Sequence, residues 1–177
     1  MTLVSCAIAL GSHLGPSEAI LAGAIARLGN HPHIQDLVTS PLYRTAPVGP
    51  PQPPYLNGCA CFATDLAPEA VLALLLAIEA QFGRVRRQRW GPRHLDLDLL
   101  LYGDRVLDQP GLQVPHPRMQ DRAFVLVPLM AIAPDWVHPT LGKTITHLCQ
   151  QVSTAGVLSP SMPWPQPVAS EGASAAR

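Results

Sequence analysis

The octapeptide "LDLDLLLY" (Leu95–Tyr102) most narrows what this chain can become. Side chains alternate across a strand with a period of two. As a strand, the segment therefore puts Leu95, Leu97, Leu99 and Leu101 on one face and Asp96, Asp98, Leu100 and Tyr102 on the other. A buried, unpaired carboxylate costs several kcal/mol or gives up its charge. The leucine face must turn to a core and the acid face to an open surface. Carboxylates at i and i+2 stand roughly 6–7 Å apart at their Cα atoms, from a rise of ~3.3 Å per residue. Two like charges this close repel unless something positive lies between them. A divalent cation answers that need, since Mg²⁺ takes oxygen ligands from carboxylates, substrate phosphates and water. A solvated strand face that happens to carry acids is the alternative.

The rest of the chain supplies partners for such a strand. Residues 2–10 are apolar and β-compatible and stop at Gly11-Ser12. In "PSEAILAGAIARLGN", Ile20, Leu21, Ala24, Ile25 and Leu28 recur at helical spacing, with Ser17 as expected cap and Gly29-Asn30 as stop. Residues 34–45 read as a strand broken near Pro41, and 46–54 hold five prolines in nine residues, a stiff loop. Residues 55–64 read as a strand, with Asp65 expected to cap the helix "APEAVLALLLAIEAQFGR". The order strand, helix, strand, strand, helix, strand predicts an α+β fold. It is the ferredoxin-like βαββαβ antiparallel sheet, with helices on one face and active-site loops on the open face. The expected domain is 1–157. Beyond it, 158–177 are rich in proline, serine and alanine and read as a poorly ordered tail.

Directly before the acidic pair, Arg84, Arg86, Arg87, Arg89 and Arg93 fall within ten residues, in a chain with only twelve Lys plus Arg. Guanidinium forks suit phosphate oxygens. Arginines beside metal-holding carboxylates are what a polyphosphate needs during transfer. A solubilising loop and a nucleic-acid patch are the other readings. The net charge is zero, which argues against a general attraction to nucleic acid or an anionic membrane. There is no GxxxxGK[ST] loop, and "GSHLG" is too weak a phosphate signal. Tyr55 and Asn57, at i and i+2, share a strand face. Asparagine offers a donor and an acceptor to the amide-like edge of a heterocycle. Trp90 and Phe124 are scarce aromatics able to cover a flat ring; core or loop anchors are the plainer reading of such residues.

No apolar run reaches the ~18–20 residues of a membrane span. The first residues lack a basic start and a cleavage site. A cytoplasmic protein with reduced thiols is expected, so Cys6, Cys59, Cys61 and Cys149 read as small buried residues; a metal pair at Cys59 and Cys61 is the alternative.

Three segments, "YRTAPVGPPQPPYLNGC" (43–59), "IEAQFGRVRRQRWGPRHLDLDLLLYG" (78–103) and "VPHPRMQDRAFVLVPL" (114–129), resemble the 6-hydroxymethyl-7,8-dihydropterin pyrophosphokinase family of folate biosynthesis. "RWGPRHLDLDLL" carries the most specific part of the likeness, which spans about residues 3–148. The resemblance implies an enzyme that moves pyrophosphate from ATP to the pterin hydroxymethyl group, releasing AMP. By the same likeness, Asp96 and Asp98 hold two Mg²⁺ ions. Thr45, Pro47, Val48, Tyr55, Asn57, Trp90, Asp96 and Phe124 form the pterin site. Leu72, Glu79, Arg84, Arg86, Trp90, Arg93, Asp96, Asp98, Leu99, His116 and Arg122 meet ATP, with Arg84 and Arg93 joining the two aspartates in catalysis. The proline and arginine loops would act as lids. Only small-molecule partners are implied, and a monomer is expected. The sequence departs from the family pattern at Ala46, Leu76, Gly111, Gln113 and Pro117, and the loop at 84–90 is one residue shorter than in some members. Two rivals stay open: a metal-dependent phosphoryl or nucleotidyl transferase with another acceptor, and a non-catalytic ferredoxin-like ligand-binding module.

Overall fold

A computed structural model describes residues 2–46, 53–82 and 94–164; Met1 and residues 47–52, 83–93 and 165–177 lie outside the described residues. In the sheet, β1 (Val4–Ser12) is paired antiparallel with β4 (Tyr55–Thr64) on one side and β5 (Asp96–Tyr102) on the other. Further along, β4 also takes β2 (Ile34–Thr39) and β3 (Leu42–Thr45). The strand break expected at Pro41 separates these two. The order across the sheet is β5-β1-β4-β3-β8, with β2 on β4 and with β8 spanning Val157–Met162.

Two helices cover one face. In α1 (Ser17–Gly29), Leu21, Ala24 and Leu28 are buried; in α2 (Pro68–Gln81), Val71, Leu75 and Ile78 are. They share a core with Ile8, Leu10, Leu56, Phe62, Leu97 and Leu99 of the strands. The expected caps differ. Ser17 is the first helical residue rather than the cap, and α2 starts at Pro68, whose fixed φ suits a first turn. Asp65 instead meets His33 Nδ1 at 2.7 Å.

The second face is not left open along its length, as the sequence predicts. A pair of antiparallel strands, β6 (Leu107–Gln109) and β7 (Leu112–Val114), leads to α3 (Ala123–Ile132) and α4 (Ile145–Gln150). These helices form a second core with Ala7, Cys59, Cys61, Leu100 and Leu101. The reason is composition. "AFVLVPLMAI" carries no charge and little polarity, and a helix apolar all round must be buried. The face stays open around Asp96 and Asp98, which are partly exposed. The chain beyond 157 also differs from a loose tail. It begins as β8 (Val157–Met162), paired with β3, and the Trp164 indole N–H then donates to the Ser40 carbonyl.

Strict alternation fails once in β5. Ile8 pairs with Leu99 and Ala7 with Leu101, so Leu100 is an extra residue, a β-bulge. Leu101 thereby joins the α3 side, and Tyr102 turns to the helix side, where its hydroxyl donates to the Leu66 carbonyl at 2.7 Å. Upstream of the bulge the alternation holds, so the two aspartates stay opposite Leu97 and Leu99.

β5 ends the sheet, and its outer edge is clamped twice. The fully buried Glu79 accepts the Leu97 amide at 2.7 Å through Oε1, and the Leu100 carbonyl accepts the His116 amide at 2.9 Å. Glu79→Ala should lower the unfolding free energy by about 1–3 kcal/mol, because a buried amide loses its acceptor. Glu79→Gln keeps an acceptor oxygen and should lose less. Urea denaturation of both variants reads this out; equal losses would mean that the acceptor is not what stabilises the edge.

Candidate active site

The register of three strands builds the site. One row across the open face runs Tyr43, Asn57, Gly11, Asp96; the next runs Cys59, Ala9, Asp98. The two middle positions on β1, Gly11 and Ala9, carry the smallest side chains. The amide of Asn57 lies across Gly11, where an added Cβ would stand 2.8 Å from Asn57 Oδ1. Asn57 Nδ2 donates to Thr45 Oγ1 at 2.6 Å, and both residues are buried. With its donor engaged, the amide keeps Oδ1 on the glycine side, beside the row that leads to Asp96.

Next to Asp98 stand Arg122 Nη1 at 3.8 Å and His116 Nε2 at 4.0 Å. Burial, then the Arg122 and Arg118 charges, push the His116 imidazole down to about 4. It is neutral at pH 7. Its Nδ1 accepts the Arg118 amide at 3.2 Å, so the ring proton sits on Nε2 and faces Asp98. Arg122 is also shifted downward, first by burial and then by Arg118, with Asp98 and Asp96 opposing. Its guanidinium lies 5.5 Å over the Phe124 ring.

A cavity of about 650 Å³ opens along the outer edge of β5. Leu72 of α2, Leu97, Asp98 and Leu99 of β5, residues 108–113 of the β6–β7 pair, His116 and Pro117 line it. Leu72, Asp98, Leu99 and His116, expected at the nucleotide, thus meet at one space. Glu79 is not among the lining residues and lies wholly buried on the Leu97 amide. Gly111 and Gln113 line the same cavity, and Gln113 Nε2 donates to Asp108 Oδ1 at 2.7 Å. The expected site residues Pro47, Val48, Arg84, Arg86, Trp90 and Arg93 lie outside the described residues.

Sequence reasoning missed two residues here. Gly11 makes room for the Asn57 amide. His13 stacks on Tyr55, with ring centroids 4.0 Å apart and planes 14° apart. Both lie in "GSHLG" (11–15), part of the family likeness but given no role by it, and at the end of β1 opposite the strand of Tyr55 and Asn57. The four cysteines are free and buried, and burial raises each thiol, Cys6 and Cys61 to about 12. They are core residues.

Comparisons with known proteins agree on one group. A family model described as "7,8-dihydro-6-hydroxymethylpterin-pyrophosphokinase (HPPK)" matches residues 7–134. The chain is 52% identical over 150 residues to the 2-amino-4-hydroxy-6-hydroxymethyldihydropteridine pyrophosphokinase of Synechocystis sp., covering 85% of this chain and 77% of that one. The enzyme of the same name from Pseudomonas aeruginosa is 49% identical over 129 residues, covering 72% of this chain and 80% of that one. Among solved structures, wild-type Plasmodium falciparum HPPK-DHPS with STZ-DHP matches with a TM-score of 0.68 at 14% identity, covering 85% of this chain and 43% of that one. That likeness speaks for the fold.

His116 makes stability depend on pH in a defined direction. Above its ordinary value of 6.5 the ring is neutral in both folded and unfolded chains. Below 6.5 the unfolded chain takes a proton that the folded one refuses until about pH 4, so stability falls across that window. The loss attributable to this ring should be on the order of 2 kcal/mol, allowing for its partial exposure. Metal-free His116→Gln should show a correspondingly flatter slope in denaturation series from pH 7 to 4; an unchanged slope would place the proton uptake elsewhere.

Proposed function

The chain belongs to the 7,8-dihydro-6-hydroxymethylpterin-pyrophosphokinase family, and on that premise we propose that it transfers pyrophosphate from ATP to the hydroxymethyl oxygen of 6-hydroxymethyl-7,8-dihydropterin. The products are the pterin diphosphate and AMP, a step of folate biosynthesis. One observation carries the reading. The strand register across β1 puts the Asn57–Thr45 pair on one side of Gly11 and Asp96 on the other, with Asp98 lining the cavity on β5. A heterocycle on the Asn57 side has its reacting arm near polyphosphate on the Asp96 side.

The donor set suits magnesium, which takes oxygen from one or two carboxylates and completes its shell with water and substrate phosphate. Asp96 and Asp98 would hold the ions, two in this reading. When bound, Mg²⁺ supplies charge neutralisation on the polyphosphate and lowers the pKa of the attacking hydroxyl.

The chain's own groups do the rest. Asn57 Oδ1 accepts from the pterin edge, and Tyr55 and Phe124 hold the ring by its faces. Leu72 and Leu99 flank the nucleotide in the cavity, and the edge backbone between the Glu79 and His116 clamps faces it. Arg122 contributes charge, and neutral His116 contributes an N–H donor that does not compete with Asp98 for a proton. Arg84 and Arg93 join them on the phosphates. Attack on the β-phosphorus is in line, with AMP leaving, and the protein contributes alignment and electrostatic stabilisation. The sheet order β5-β1-β4-β3 supports a ferredoxin-like description. No helix among the described residues is long and apolar enough to cross a membrane. A cytoplasmic monomer acting on small molecules alone completes the reading.

The assay is AMP release from Mg-ATP with and without the hydroxymethyl dihydropterin. AMP formed equally in both, or in neither, would end the assignment. Asp96→Ala should lose about 10²–10³-fold or more in turnover with an unchanged melt, as expected for a group that stabilises transition-state charge. Gly11→Ala, which displaces the Asn57 amide, should raise KM for pterin and leave KM for ATP alone; steady-state kinetics with each substrate varied separates the two.

A further inference from the structure

We propose that His13 is a positioning residue of the pterin site. It holds the Tyr55 ring from behind, so that the ring's other face is presented to a flat heterocycle. The assignment rests on the function proposed above.

Three observations carry it. The β1–β4 ladder runs Gly11 to Asn57 and Ser12 to Leu56, so its next step sets His13 opposite Tyr55. The two rings stack nearly parallel, 4.0 Å apart at 14°. A parallel stack of this kind covers one face of the Tyr55 ring. His13 Nε2 lies 3.0 Å from the Pro53 carbonyl oxygen. A carbonyl only accepts, so Nε2 donates, and Nδ1 is left as a bare acceptor. That Nδ1 is buried and meets no hydrogen-bond partner among the described residues. His13 thus makes two contacts at once. It backs the ring, and it ties the ring to Pro53, at the exit of the proline loop that precedes Tyr55. Tyr55 and that backbone are held as one unit beside the Asn57 amide.

The test is steady-state kinetics of the full chain with pterin and ATP varied separately. The set is wild type, His13→Ala, His13→Phe and His13→Gln, each checked by thermal melt. His13→Ala should raise KM for pterin roughly three- to tenfold, the span of an aromatic pair, with kcat and KM for ATP within about twofold. His13→Phe keeps the stack and should recover most of the loss; His13→Gln keeps only a donor for Pro53 and should recover less. A pterin KM for His13→Ala within about twofold of wild type, or equal rises in both KM values, overturns the role. If His13→Ala does not fold, the other two variants decide, and the same pterin KM in both overturns the stacking role. Wild type without pterin-dependent AMP would refute the functional reading instead, so the two failures are distinct.

Discussion

The site depends on how the edge strand β5 is held. On its inner side it is laddered to β1, which fixes Asp96 beside Gly11 and Asp98 beside Ala9. On its outer side a lone edge would expose unpaired amides and carbonyls. Glu79 takes one amide and the His116 amide serves one carbonyl. Between these two clamps the edge borders the cavity. The constraint that stabilises the strand is therefore also the one that leaves a bounded opening for a ligand.

Charge follows from the same placement. The aspartates lie on a part-exposed face, so they keep the solvation that burial on the leucine side would have removed. Arg122 pairs with Asp98 at 3.8 Å, and the neighbouring imidazole is held neutral. The positive charge is thus supplied by a group that stays charged, while His116 offers a fixed donor. Small residues on β1 complete the arrangement, because any larger side chain at Gly11 would displace the Asn57 amide.

Much of this was legible in the sequence, for a physical reason. Alternation in "LDLDLLLY" needs only a two-residue period, so the face of Asp96 and Asp98 followed before any partner was known. Helical spacing placed α1 and α2 in the same way. The misreadings share another cause. The bulge at Leu100 depends on how β5 meets β1, and it reversed the faces of Leu101 and Tyr102. The helix caps at Ser17 and Asp65 depended on where the chain turned, and Asp65 found His33 instead. The strand β8 was hidden by its proline and serines, because its stability comes from a ladder to β3 rather than from its own pattern.

What the sequence by itself determined was local: a strand with acids on one side and leucines on the other, two amphipathic helices, an arginine run before the acids, and a family likeness carried by those segments. These are properties of neighbouring residues, and a short period is enough to express them. Only the tertiary structure decided which distant groups meet. It buried the Glu79 carboxylate on the Leu97 amide, covered much of the second face with α3 and α4, laid Asn57 across Gly11 and set His13 against Tyr55. Each of these joins residues far apart in the chain, and their register is set by strand pairing and core packing rather than by any residue's own preference.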